Sequence, residues 1–66
     1  MKANLLMNFL WYDDISPEDL ANALAIRPEE LFRKLFGDDA FTPDEIRRIQ
    51  GILAMTDEET RAIFYQ

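Results

Sequence analysis

"ISPEDLANALAIRPEELFRKLFG", residues 15–37, contains two helix starts and one helix stop. Ser16 stands before Pro17, and Asp19 follows three positions after Ser16. A serine hydroxyl there accepts an N–H left unpaired by the first turn, and the acid reaches back to the cap. Proline in the first helical position loses nothing, because that N–H has no helical partner. "RPEE" at Arg27 repeats the pattern with Glu30 as the acid, and Gly37 supplies the stop.

The same signature recurs outward from this stretch, as "TPDE" at Thr42 with Glu45 and "TDEE" at Thr56 with Glu59. The acids in these first turns also meet the positive end of the helix dipole, so capping explains much of the acidity. The spacing predicts five helices, at about 2–13, 16–25, 28–36, 43–54 and 57–64. The loop "GDDAF" is the one long joint, and no alternation of apolar and polar residues predicts a strand. Four near-identical starts fit an idealised or redesigned sequence, and equally a thermally robust natural one.

Apolar spacing predicts the core. Leu20, Ala21 and Leu24 serve the second helix, Leu31 and Leu35 the third. Ile46, Ile49 and Leu53, with Ile52 close by, serve the fourth, and Ile63 and Phe64 the fifth. Ile15, Ile26 and Phe41 each precede a cap and are expected to staple the helix that follows. On the first helix, Leu5, Leu6, Phe9 and Tyr12 are expected to form one face, with Met7 and Trp11 well round from it and Leu10 between. Phe32 and Phe36 fall beside the Leu31/Leu35 stripe. Two readings of these outlying side chains are open: the small fold tucks them in, or they form an exposed patch for a partner. The candidate patch is Met7, Trp11, Phe32 and Phe36, residue types that interface cores favour.

The chain has 66 residues, which bounds it to a single domain with one small core. It has neither cysteine nor histidine, so thiolate metal sites, disulfides and the commonest general base are excluded. Thirteen acids against seven bases give a net charge of −6, which disfavours a polyanionic partner without excluding a local basic stripe. Asp38-Asp39 lacks the regular oxygen spacing of a calcium loop, so no metal is expected. No phosphate loop or catalytic triad is present, no cofactor is expected, and an enzyme is not the expected function. The start "MKANLLMNFLWYDD" is expected to be a helix and not a cleaved leader. No apolar run is long enough for a bilayer, no membrane partner is expected, and the expected location is cytoplasmic.

Residues 15–37 resemble the helix-turn-helix of the Cro/phage-repressor-type family, often called XRE-like. Leu20-Ala21, Leu24, Ile26, Leu31, Arg33-Lys34-Leu35 and Gly37 carry the likeness. "FTPDEIRRIQGILAMTDEETRAIF" is similar to the tail of small phage and mobile-element members. The resemblance implies an all-α, compact five-helix, lambda-repressor-like bundle with the helix-turn-helix at about 16–36. It implies a small transcriptional regulator that reads double-stranded DNA with helix 28–36, generally as a dimer. Arg27, Glu29, Phe32, Arg33 and Lys34 would then sit at the groove, and Arg47 and Arg48 on phosphate.

The departures from the family cluster where DNA would lie. Pro17 stands where a polar residue, commonly glutamine, is usual, and Ala25 where the turn usually has glycine. Pro28 removes an N–H from the start of the reading helix, and Glu29 and Glu30 place negative charge toward a negative ligand. Arg33 and Lys34 are open to a second reading, as a solvated face paired with Glu29, Glu30 and nearby acids. Two functions are therefore expected in competition. One is a DNA-binding regulator. The other is a protein-binding module, natural or engineered, that takes a protein partner or a second copy through its aromatic and methionine patch.

Overall fold

The computed structural model describes residues 1–65 and contains five α-helices and no strand among them. They are α1 (Ala3–Tyr12), α2 (Pro17–Ala23), α3 (Pro28–Leu35), α4 (Pro43–Ile52) and α5 (Asp57–Phe64). The all-α five-helix expectation holds: α5 and the starts of α3 and α4 fall where expected, and the other ends are one or two residues shorter.

The helix starts form as the capping chemistry requires. Ser16, Thr42 and Thr56 each accept the N–H of the acid three residues on, and that acid's carboxylate accepts the cap's own N–H. Arg27 caps α3 without a side-chain hydrogen bond, so only Pro28 marks that start. The helix stops follow one pattern as well. After α1, α2, α3 and α4 the chain turns into the left-handed region, at Asp14, Ala25, Gly37 and Ala54. The next N–H then bonds back to the last turn: Ile15 to Leu10, Ile26 to Ala21, Asp38 to Arg33 and Met55 to Gln50. These are Schellman closures, and only one of the four uses glycine. Ile15, Ile26 and Met55 thus close one helix and stand directly before the cap of the next. That double duty shortens three of the joints to four residues each.

The core is one cluster containing Leu6, Leu10, Leu20, Ala21, Leu24, Leu31, Leu35, Phe41, Ile46, Ile49, Leu53, Met55 and Ile63. Ile15, Ile26 and Phe64 pack on it partly buried, and Ile52 stays at the surface. Phe41 meets Phe64 edge to face with ring centres 5.6 Å apart, which joins the long loop to α5. The radius of gyration is 10.6 Å, close to the roughly 10.8 Å of a compact chain of this length.

Helix α1 departs from expectation. Its buried pair is Leu6 and Leu10, whereas Leu5 and Tyr12 are exposed and Phe9 is half-buried. Two backbone hydrogen bonds fix the rotation: Lys2 N–H to Ile63 O at 2.8 Å pins its start to α5, and Ile15 N–H to Leu10 O closes its end. With both ends held, only one narrow i, i+4 stripe faces the core. In residues 5–12, "LLMNFLWY", Asn8 is the one polar side chain, too little contrast to show which stripe that is.

Candidate functional site

The side chains left over by this core decide where the molecule can act. Trp11 is 79% exposed, Tyr12 81% and Phe36 77%, while Phe32 and Met7 are 42% and 40% exposed. The rings are not tucked in. The reading in which the fold wraps around α1 is therefore set aside for Trp11 and Phe36.

They form two separate pairs. Phe32 and Phe36, one helical turn apart, stack with ring centres 6.1 Å apart and planes 12° from parallel. Trp11 and Tyr12, at the last turn of α1, meet edge to face at 5.9 Å and 82°. Met7 and Trp11 share an open groove at the α1–α2 corner with Tyr12, Asp14, Ile15 and Pro17. Phe32 and Phe36 do not line that groove.

The basic residues are disposed as follows. Lys34 points across to α4, where its ammonium sits 2.5 and 2.6 Å from the two carboxylate oxygens of Glu45, both side chains largely buried. The same ammonium lies 5.8 Å from the centre of the Phe41 ring. Arg33 reaches Asp39 at 3.9 Å, and Arg48 reaches Asp44 at 3.8 Å, both exposed pairs worth little. Arg27 and Arg47 are exposed and form no ion pair among the described residues. Glu29 and Glu30 take neither Arg33 nor Lys34, contrary to the expected one-turn pairing. A charge-assisted bond shielded from water outcompetes an exposed i, i+4 contact, so Lys34 goes to Glu45.

Burial and bonding act on Glu45 in opposite directions. Burial acts to raise its pKa. The hydrogen bonds and charge of Lys34 and the bond from the Thr42 N–H outweigh burial and hold the carboxyl below the ordinary glutamate value. One carboxylate thus caps α4 and clamps α3 to it.

Tyr12 was missed as a surface residue, because the first-helix face was drawn through it. A simple count marks its neighbourhood: from Ala3 to Ile26 the chain has four acids, Asp13, Asp14, Glu18 and Asp19, and no base. No ion pair reaches any of them among the described residues.

No helix among the described residues is long and apolar enough to cross a membrane. Comparison with protein-family models, with curated proteins and with solved structures finds no match.

Proposed function

We propose that the chain is a protein-binding module that engages its partner through exposed aromatic side chains. The observation that carries this reading is the solvent position of Trp11, Tyr12 and Phe36, each more than three-quarters exposed. A ring of this kind offers on the order of 150–250 Å² to a partner. Left in water, it contributes almost nothing to the fold. Exposed aromatic groups of this size mark interaction surfaces. On this reading α2 and α3 are a helix-turn-helix of the Cro/repressor type, kept as a scaffold in a cytoplasmic protein.

The competing function, a DNA-binding regulator, draws on the resemblance of residues 15–37 and on the free guanidinium groups of Arg27 and Arg47. Against it stand the acids at the start of α3, the net charge and the engagement of Lys34 by Glu45. One experiment separates the two. The chain is panned against a displayed random-peptide library and titrated in low salt with random-sequence duplex DNA. Protein binding is supported by enriched peptides whose affinity is lost in W11A or F36A. Salt-sensitive DNA binding that depends on Arg27 and Arg47, with no peptide enriched, would replace it with the regulator.

A further inference from the structure

Two costs coincide at the corner where α1 meets α2. Trp11 and Tyr12 hold their rings in water. Asp13 and Asp14 stand at the C-terminal, negative end of α1, which has no base in its last turn, although a cation is what that end favours. Exposed rings beside an uncompensated helix end are the mark of a surface held for something else.

The groove there is lined by apolar and acidic side chains. Met7, Trp11, Ile15 and Pro17 are among the apolar ones, and Asp14 and Asp19 are the acids. Asp13 and Glu18 adjoin it in sequence. The first base in either direction along the chain is Lys2 or Arg27. A partner that fills the groove must bring apolar side chains for the first set. It must also bring positive charge for the acids, since no base is among the lining residues. Indole and phenol faces add to the preference for a cation, and for arginine in particular.

Resting on the protein-binding reading above, we infer that this groove docks a cationic amphipathic segment of a partner protein. The segment lays leucine-type side chains on Met7, Trp11, Ile15 and Pro17 and sets arginine or lysine against Asp13, Asp14, Glu18 and Asp19. Complementarity of charge sets its orientation and speeds encounter, while the apolar lining holds it. The stacked pair Phe32/Phe36 on α3 takes no part.

The test uses the intact chain and a synthetic amphipathic helix of leucine, lysine and arginine without aromatic residues, so that Trp11 is the only indole present. Its partner probe is the same peptide with every base replaced by glutamate. The cationic peptide should bind one to one, shift Trp11 emission to the blue, and weaken as salt rises. D13N/D14N/E18Q should lose several-fold in affinity, F36A should keep full affinity, and the glutamate peptide should not bind. Equal binding of both peptides, or binding that survives D13N/D14N/E18Q and vanishes in F36A, overturns the inference. If the cationic peptide fails in low salt while library-selected peptides still bind, the inference falls and the protein-binding reading stands. If no peptide of any kind binds, both fall.

Discussion

Lys34 on α3 and Glu45 on α4 form a two-pronged contact, the ammonium against both carboxylate oxygens, while one of those oxygens also accepts the Thr42 N–H at 2.8 Å. The pair lies eleven residues apart in sequence and spans the long loop. It fixes where α4 begins relative to α3. It also withdraws from the surface a lysine that the family resemblance would place beside DNA.

The first prediction concerns that contact. E45Q keeps one oxygen for the Thr42 N–H and replaces the other, with the negative charge, by an NH2 that cannot accept from Lys34. At neutral pH it should destabilise the fold by roughly 1–2 kcal/mol, the difference between a charge-assisted and a neutral hydrogen bond in a shielded place. The folded-state pKa of Glu45 is depressed, so its contribution is fully present above the ordinary carboxylate range. It is lost as pH falls through the folded value. Urea unfolding of both proteins across acid pH should therefore show the two stabilities converging below that range. A gap that stays constant to low pH would mean that the Lys34 charge contact contributes nothing.

A second prediction follows from the helix stops. Ala25 and Ala54 sit at φ 58° and 51° in closures that favour glycine. A25G and A54G relieve a left-handed strain of about 1–2 kcal/mol and give back about 0.4–1 kcal/mol of unfolded-chain entropy. Each should gain about 0.5–1 kcal/mol, read as a thermal midpoint several degrees higher. G37A should lose a similar amount, through backbone strain alone, since a Cβ there meets nothing within 4 Å. A lower midpoint for A25G would place that turn outside the left-handed region.

The third prediction separates surface from core. W11A and F36A should each change stability by less than about 0.5 kcal/mol, as surface substitutions do. L31A and I49A, whose side chains are fully buried, should cost roughly 2–5 kcal/mol. Denaturant midpoints of the four variants check this. A loss of core size in W11A or F36A would remove the aromatic surface from consideration.

Much of this architecture was legible in the sequence. Ser16, Thr42 and Thr56 with their acids marked three starts, because capping is a local matter of a hydroxyl, a carboxylate and a few unpaired N–H groups. Leu20, Leu31 and Ile49 were legible for a similar reason: each directly follows charged residues on its helix, Asp19, Glu30 and Arg48. Leu10 did not, since in "LLMNFLWY" almost every position is apolar and the rotation of α1 depends on contacts at Lys2 and Ile15. Met55 was missed because it lies in a joint, where periodicity says nothing. The Lys34–Glu45 pair joins two helices across a loop, a distance along the chain at which no spacing rule operates. The acidic, base-free run from Ala3 to Ile26 was open to a count, but only the exposure of Trp11 and Tyr12 beside it gives that count a use.

A binding surface on α1 requires that its rings be offered to solvent, and Trp11, the single tryptophan, reports on that alone. In a sample verified as monomeric, acrylamide quenching of its fluorescence should approach that of a free indole, with emission near the wavelength of tryptophan in water. A blue-shifted emission that acrylamide barely reaches would place the ring in the core and contradict the proposed binding surface.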